Sequence, residues 1–498
     1  MKFTVRTSPN YRDDISTKRI MAELTTGLLA VFAFSLVYYA MNEGSSYAIH
    51  AVILMVTSIV TALVTEAAYA AIKKKNVTEH IKASFPLVTA IILTLMVQIN
   101  TSAVALALGT FFAIFIGKLI FGGFGQNIFN PAATGRALIL TSFAGAKAAD
   151  IVSSATPLSS MSQLGWIITD PTKVESFLQQ FGGLSGLFLG LHQGAIGETS
   201  KLLIIIVGII LAYRKVLDWR VPVFYIGTVL VITTVIGVMT GAGLWYPAFH
   251  IAAGGLVFGA VFMATDPVTN PTSAAGRIIF AMGCGILTVL IRTKASLPGG
   301  VLYSILIMNM LTPLIEKYTD GWQIKTIGRN KKLVAVMAAL ALLVGVWAGS
   351  TLTPAAAEGE APAEEITATL GDSLKLFNDT TSNAPEVLEK KAEGDVVTYK
   401  MSAKGYAVTE GGYADAKPNI VEVKLNKATK KIESVTVLEV NDTNGIGTQV
   451  KAKSFLDQFA GLSYEDKSAT VDAVATATVS STSVVKAVRM AVEDLGKE

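Results

Sequence analysis

Cysteine is almost absent: the 498 residues hold one, Cys284. A single thiol excludes a disulfide framework. It also excludes an iron–sulfur cluster held by this chain alone, which needs several thiolates. Histidine is scarce too. The four histidines (His50, His80, His192 and His250) are scattered, without metal-ligand spacing, so no metal site is expected. Charged residues make up only 16% of the chain, against about 25% in a soluble protein. With 51% hydrophobic residues and a mean hydropathy of +0.52, this deficit excludes a disordered or purely cytosolic protein and points to a bilayer. No general base, nucleophilic triad or phosphate loop is visible, so no catalytic residue is assigned. Membrane lipid is an expected partner and nucleic acid is not.

What charge there is divides unevenly. Residues 1–350 carry 25 basic and 14 acidic side chains, whereas 351–498 carry 16 and 23. The first part is a basic membrane body at +11 and the second an acidic domain at −7. Residues 1–20 are polar, with Arg6, Arg12, Lys18 and Arg19, and show no signal-peptide pattern. A span needs about 20 apolar residues. The strong candidates are 21–41, 48–72, 102–121, 221–240, 276–292, 300–316 and 332–349. Shorter or interrupted ones are 84–99, 130–143, 200–213 and 248–265.

Counting all eleven with the N-terminus inside puts Lys73-Lys74-Lys75, Arg214-Lys215 and the run Lys325 to Lys332 in the cytoplasm, where the positive-inside rule wants them. Arg292 and Lys294 fall outside, as an exception. The count also places a Ser-, Gly- and Thr-rich loop, 144–199, and everything after 350 outside the cytoplasm. It would have to be redone if 84–99 re-enters instead of spanning. After an Ala/Pro/Glu-rich linker, 351–365, the pattern becomes that of a soluble α+β domain, 366–498. Strands are expected at 396–409, 418–426 and 433–441, and helices at 451–460 and 480–495. The segment 321–350 reads as a cytoplasmic connector and anchoring helix. Its basic start, apolar run and Ala355-Ala356-Ala357 also fit a signal peptide with a cleavage site; a retained anchor would tether the acidic domain.

The membrane half repeats itself. Asn130-Pro131 is followed by Gly135-Arg136-Ala137-Leu138-Ile139, and Asn270-Pro271 by Gly276-Arg277-Ile278-Ile279. Broken helices in repeated halves point to a binding site near the midplane, because backbone groups freed at Pro and Gly must face protein, cofactor or a wet cavity. Two carboxylates fall in or beside these spans, Glu66 and Asp266. An intramembrane carboxylate is expensive and suggests function, so both are candidates for an ion pathway. The ordinary alternative is an interfacial helix cap, which suits Asp266, ahead of a helix start, better than Glu66, flanked by apolar residues.

Two further stretches share the pattern Asp-x-Val-x-(Ser/Thr)-Ala-Thr. One is Asp150-Ile151-Val152-Ser153-Ser154-Ala155-Thr156 in the outer loop; the other is Asp472-Ala473-Val474-Ala475-Thr476-Ala477-Thr478 in the tail domain. Either alone would be a Ser/Thr-rich turn. Identical spacing in two different folds calls for a shared cause, such as one modifying enzyme reading a short peptide. A phosphate ester on Thr478, just ahead of a helix, would meet free backbone N–H groups.

On these residues the chain resembles the RnfD component of the Rnf ion-translocating electron-transport complex fused to the RnfG component. NqrB and NqrC of the sodium-pumping NADH:quinone reductase are more distant relatives. The RnfD-like part, 1–320, rests on Ser8-Pro9, Phe121-Gly122-Gly123-Phe124-Gly125, Asn127-Ile128-Phe129-Asn130-Pro131-Ala132, Ala264-Thr265-Asp266-Pro267-Val268, Pro298-Gly299-Gly300-Val301 and Met308-Asn309. The RnfG-like part rests on the anchor, Gly445-Ile446-Gly447-Thr448, Phe455 to Gly461 and Asp472 to Thr478.

The resemblance implies a polytopic α-helical membrane domain of about ten spans with an internal repeat, an anchoring helix and an extracytoplasmic α+β FMN-binding domain. It implies two covalent FMN groups, joined through phosphate to Thr156 and Thr478. Ser153, Ser154 and Ala155 surround the first, and Asp472, Thr476, Ala477, Gly445 and Gly447 the second. The family motif has glycine where this chain has Ser154 and Thr476. A noncovalent riboflavin and a cation role for Glu66 and Asp266 are implied as well.

The expected function is electron relay between flavins, coupled to Na⁺ or H⁺ translocation in a ferredoxin:NAD⁺ oxidoreductase. Other subunits would supply the iron–sulfur clusters and NAD site that this chain lacks, and a flavin transferase would mature it. Alternatives are a flavoprotein feeding an outer-side reductase, or a repeat-built transporter or channel with an outer binding domain.

Overall fold

The computed structural model describes residues 15–143, 146, 148, 156–190, 194–295, 300–319, 324–352, 367–369, 385–405, 408, 417–442, 450–465, 470–472 and 478–496. They form two compact units, divided between Ala355 and Ala356. The first is helical. It begins with α1 (Thr17–Asn42), α2 (Ser45–Ile72) and a bent pair, α3 (Val77–Ser84) and α4 (Pro86–Met96). Next come α5 (Ala103–Ile114), running into a π-helical turn at Phe115–Leu119, and α6 (Pro131–Ser142). Short helices α7 (Pro157–Gln163), α8 (Pro171–Gln179) and α9 (Gly183–Leu189) follow. Then come α10 (Lys201–Tyr213), α11 (Arg220–Met239), α12 (Trp245–Ala252) and α13 (Leu256–Phe258), which runs into a second π-helical turn at Gly259–Met263. The unit closes with α14 (Ala274–Lys294), α15 (Val301–Thr319) and α16 (Ile324–Thr351).

All eleven apolar stretches of the sequence lie in helix, but their lengths differ. Among the described residues α1, α2, α11, α14 and α16 are long and apolar enough to cross a bilayer. The bent pairs α3–α4 (51°) and α12 with α13 and its π turn (61°) raise the number to seven if each pair is one span. At 1.5 Å per residue, α4, α6 and α10 rise only about 16–20 Å, short of a hydrocarbon core of about 30 Å. The stretch 84–99 is thus one arm of a bent pair, too short to be a full span by itself.

Small and hydroxyl residues let the helices approach closely, as expected where lipid gives no hydrophobic drive to helix pairing. The hydroxyl of Tyr225 (α11) lies 2.6 Å from Thr288 Oγ1 (α14) and 2.9 Å from Ser304 Oγ (α15). All three residues are buried. Helix α16 packs along α11: a Cβ on Gly345 would lie 3.2 Å from Val235, and one on Gly349 3.1 Å from Met239 Sδ.

The internal repeat is visible as two matching breaks. Each π-helical turn leads into a loop and then a new helix. The two helix starts differ: Asn130 Oδ1 caps α6 by accepting from Ala133 N–H at 3.2 Å, with Pro131 as the first helical residue. Helix α14 starts later, capped by Ser273 Oγ on Gly276 N–H at 3.0 Å. Asn270 therefore does not cap; its amide donates to Ala264 O at 3.4 Å.

In the second unit β1 (Thr367–Thr369) pairs with β6 (Thr470–Asp472). A four-stranded antiparallel sheet runs in the order β2 (Glu386–Glu393), β3 (Val396–Ala403), β4 (Asn419–Asn426), β5 (Lys431–Glu439). The helical elements are α17 (Lys453–Leu456) and α18 (Thr478–Leu495). Val484, Val488, Ala491 and Leu495 make a stripe at helical spacing on α18, buried with Val397, Tyr399 and Met401 of β3 and Val421, Val423 and Leu425 of β4. Alternation at 396–403 and 419–426 marks its strands well. The expected helix at 451–460 shortens to Lys453–Leu456. Strand β2, EVLEKKAE, is absent from the sequence reading: it is an edge strand with charges on both faces, so it carries no period-2 pattern.

Gly135 of α6 sits where a Cβ would meet Gly109 O at 2.6 Å and Ala113 Cβ at 2.8 Å. Gly135→Val is expected to lower stability by about 1–3 kcal/mol or more, read as a fall in melting temperature in detergent. Gly227→Ala, with nothing within 4 Å, should not lower the melting temperature, since alanine is the better helix former inside α11.

Candidate functional site

The site starts from a broken helix. Phe85, between α3 and α4, has left-handed backbone at φ +50°. A non-glycine residue there stores about 1–3 kcal/mol of strain. Its ring packs edge-on against Phe124 in the first repeat loop, with centroids 5.2 Å apart. The break leaves the carbonyl of Ser84, last residue of α3, without a helical partner. Lys118, on the first π turn, takes it: Nζ donates to Ser84 O at 2.5 Å.

Nζ of Lys118 also donates to Glu66 Oε1 at 2.9 Å. Ser84 Oγ donates to the same carboxylate oxygen. His80 Nε2 lies 2.7 Å from the other, Oε2. Glu66 is 0% exposed and Lys118 2%, so this is a buried ion pair with each partner bonded twice or more. Removing one member of such a pair costs about 3–5 kcal/mol, because the other charge stays buried. The cluster borders a cavity of about 60 Å³ whose lining includes Ser84, Phe85, Lys118, Phe124, Asn130 and Asp266.

The two repeat loops meet beside that cavity. Asn309 of α15 joins them: its Oδ1 accepts from Asn130 N–H at 3.1 Å, and its Nδ2 donates to Thr269 O at 3.2 Å. Asn130 Nδ2 donates to Met263 O, at the end of the second π turn, at 3.3 Å. Thr312 Oγ1 adds a bond to Thr269 O at 2.9 Å. Freed backbone groups are thus satisfied across the repeat. Asp266 does not cap a helix. It closes its own turn, Oδ1 accepting from Val268 N–H and Oδ2 from Thr269 Oγ1, each at 3.2 Å, and it lines the cavity.

Thr156 lies at the other end of the unit. It caps α7: Oγ1 accepts from Ser159 N–H at 3.3 Å and lies 2.9 Å from Ser159 Oγ. Two residues on, Leu158 plugs the bend between α12 and α13, where a Cβ on Gly254 (φ +69°) would meet its Cδ1 at 2.3 Å. Under the same bend Arg292, fully buried, donates from Nη1 to His250 O at 2.7 Å and from Nη2 to Ala253 O at 3.4 Å. A cation on the last carbonyls of α12 complements the negative end of that helix. His250 stacks against Trp166 and packs edge-on against Tyr246. Arg292 lies in the last turn of α14, which rises about 27 Å from Ala274, so Thr156 and the Glu66 cavity sit at opposite ends of one helix.

In the second unit Asp472 ends β6 and Thr478 opens α18. Just inside α18, Ser480 Oγ donates to Asp442 Oδ2 at 2.6 Å, and Asn419 Nδ2 donates to the same oxygen at 3.2 Å. The side chains of Asp472 and Thr478, together with Ser153, Ser154, Ala155, Gly445, Gly447, Thr476 and Ala477, lie outside the described residues.

Residues 4–325 match the NQR2, RnfD, RnfE family. The chain belongs to it. Residues 412–493 match the FMN-binding domain. The chain is 39% identical over 331 residues to the D component of the proton-translocating ferredoxin:NAD(+) oxidoreductase complex of Clostridium ljungdahlii, covering 64% of this chain and 95% of that protein. It is 34% identical over 326 residues to the D component of the Na(+)-translocating ferredoxin:NAD(+) oxidoreductase complex of Acetobacterium woodii, covering 64% and 94%. It is 34% identical over 243 residues to the B component of the Na(+)-translocating NADH-quinone reductase of Chromohalobacter salexigens, covering 46% and 57%. This member of the family therefore joins an RnfD-type membrane domain to an FMN-binding domain.

Within the RnfD-type domain, Asp266 lines the cavity and Glu66 lies behind two lining residues, Ser84 and Lys118, that bond it, whereas Thr156 stands apart from both. Sequence reasoning misses Lys118, His80 and Arg292 as site residues. Lys118 reads as the end of an apolar run, and His80 attracts notice only as a metal ligand without partners. Arg292 looks like a misplaced loop charge, but it is a buried cap, and buried charges are not what the positive-inside rule counts.

Asn309→Leu leaves the Asn130 N–H buried and unpaired, which costs about 1–3 kcal/mol. Thr312→Val should cost less, because Thr269 O keeps the amide of Asn309. Thermal unfolding of the two variants in detergent checks the order.

Proposed function

We propose that this chain is a flavin-carrying electron-transfer subunit of an ion-translocating membrane oxidoreductase of the Rnf type. The observation that carries the reading is the union in one chain of a membrane domain of the NQR2, RnfD, RnfE family with an FMN-binding domain. Two relatives are named as components of ferredoxin:NAD(+) oxidoreductase complexes, one proton- and one Na(+)-translocating, which supports ferredoxin and NAD⁺ as the partner couple. One cysteine cannot hold iron–sulfur clusters, so other subunits supply them and the NAD site.

FMN is attached through phosphate to Thr156 and Thr478 by a flavin transferase, and riboflavin is held without a covalent bond. When bound, flavin supplies reversible one- and two-electron chemistry, which the protein tunes by hydrogen bonds and burial. The geometry at Thr156 fits an ester: Oγ1 acts as an acceptor from Ser159 N–H, a role an ester oxygen retains, while Ser159 Oγ already donates to Thr156 O at 2.8 Å. The described residues leave the fit at Thr478 to its place at the start of α18.

Arg292, held by backbone carbonyls beneath the Thr156 loop, supplies a fixed positive charge. Asp266 in the cavity lining and Glu66 beside it are the ion-pathway carboxylates, for Na⁺ or H⁺. The loop 144–199 and the domain after the linker face the outer side, with α16 as a retained anchor. The domains are 1–320, 321–350 as connector and anchor, 351–365 as linker and 366–498 as the FMN-binding domain.

The test is the full chain co-expressed with a flavin transferase, denatured and examined for in-gel flavin fluorescence. Wild type is expected to fluoresce, Thr156→Ala and Thr478→Ala each to lose about half of the signal, as expected for two equivalent carriers, and the double variant to lose it all. Peptide mass spectrometry should place one FMN on each threonine. A wild-type chain without fluorescence would overturn the electron-transfer reading in favour of a repeat-built transporter with an outer binding domain.

A further inference from the structure

The membrane cavity has one feature that electron transfer does not call for. A lysine in its lining, not a solvent-derived ion, neutralises the buried carboxylate of Glu66 just behind it. Nζ of Lys118 sits among oxygens: Glu66 Oε1 at 2.9 Å, Ser84 O at 2.5 Å, and Ser84 Oγ bonded to the same carboxylate oxygen. A carboxylate, a hydroxyl and a carbonyl freed at the C-terminal end of a half-helix form the kind of ligand set that holds Na⁺ or a proton in transporters with broken helices. The ammonium group stands where such a cation would stand.

The ammonium also has a second place to go. It lies 6.0 Å from the centroid of the Phe124 ring, within cation–π range. Lys118, Phe124 and Asp266 all line the same cavity. Lys118 is carried on a π-helical turn, a distortion often found at functional sites. Lysine is a compact charge on a flexible four-carbon stem.

We propose that Lys118 is a tethered counter-cation that keeps a monovalent cation site at Glu66 and Ser84 closed. When negative charge enters the cavity, the ammonium is drawn from Glu66 toward Phe124 and Asp266, and a Na⁺ or a proton takes its place. The exchange is electroneutral at Glu66: one positive charge leaves the carboxylate and one arrives. His80, on the opposite carboxylate oxygen at 2.7 Å and 14% exposed at its side chain, is the neighbour on the side away from Lys118. It is the group through which a proton would come. This rests on the reading of Glu66 as an ion-pathway residue, and it adds the identity of the group that closes the site.

The experiment uses the full chain in lipid nanodiscs, titrated with NaCl against choline chloride at constant ionic strength, and separately with pH, with melting temperature as the readout. Wild type should show no saturable response to Na⁺, because the ammonium fills the site. Lys118→Gln should gain one, a rise of a few degrees, or an equivalent rise on acidification if the site takes a proton. Adding Glu66→Gln to Lys118→Gln should abolish the gain. If Lys118→Gln accumulates only when Na⁺ or acid is supplied, the cation is replacing the ammonium, and the proposal stands.

A Lys118→Gln chain insensitive to both Na⁺ and pH, or one that fails to fold in every condition, overturns it. Ion translocation by the native complex separates the two readings. Loss of translocation in Glu66→Gln without a cation response in Lys118→Gln sinks the tethered ammonium and leaves the pathway. A cation response in Lys118→Gln with unaltered translocation in Glu66→Gln keeps the site and sinks the pathway.

Discussion

A backbone that breaks inside a bilayer must find partners for every N–H and C=O it frees, because the hydrocarbon offers none. The membrane unit breaks its helices at Phe85, at the two π-helical turns and at the bend between α12 and α13. Each break is answered from elsewhere in the chain. Asn130 and Asn309 answer the two repeat loops. Lys118 answers Ser84 O, and Arg292 answers His250 O and Ala253 O. The repeat is therefore more than a duplication of spans. Neither half could bury its own loop alone, since Asn130 of one half needs Met263 of the other.

The same constraint explains why charge sits where it does. An isolated lysine or arginine at membrane depth is costly, but a carbonyl at a helix C-terminus is the partner a cation wants. Arg292 and Lys118 each bond such carbonyls. Their difference lies in the second partner. Among the described residues Arg292 bonds backbone, and its Nη1 lies 3.5 Å from Nδ1 of His250, a ring itself packed by Trp166 and Tyr246, a rigid setting for a fixed charge. Lys118 pairs with a carboxylate that has two other donors of its own, so the pair can part without leaving Glu66 bare on every side.

Much of this is legible in the residues. Apolar length marks the long helices of the membrane body but not α3 or the short helices α7 to α9, and the paired Asn-Pro stretches announce the two breaks, as does the change of charge after 350 for the second unit. Three things are hidden for physical reasons. Strand β2 is charged on both faces, so no periodicity betrays it. Lys118 is 52 positions from Glu66, and only the fold of α3 against the first π turn shows that they pair. Arg292 is 42 positions from the carbonyl it caps, and its burial cannot be read from a loop count. The flavin-bearing threonines proposed here emerge by pattern in Ser/Thr-rich sequence; for Thr156, structure adds only that it caps a helix above the α12–α13 bend.

The arrangement also constrains how events at the two ends of α14 can be linked. That helix is packed against α11, α15 and α16 and tied in its C-terminal third by the Tyr225–Thr288–Ser304 hydroxyls. A dense interior of this kind does not deform continuously. Coupling between the proposed flavin at Thr156 and the proposed cation exchange at Glu66 therefore does not call for bending the scaffold. It calls for charge to reach the cavity and for one group there to move in response. Asn130 and Asn309 are each held by two side-chain bonds to backbone, and Asp266 is held in its own turn. Among the described residues of the cavity lining, Lys118 combines a full charge, a flexible stem and two reachable partners, so the electrostatics of the cavity converge on that side chain.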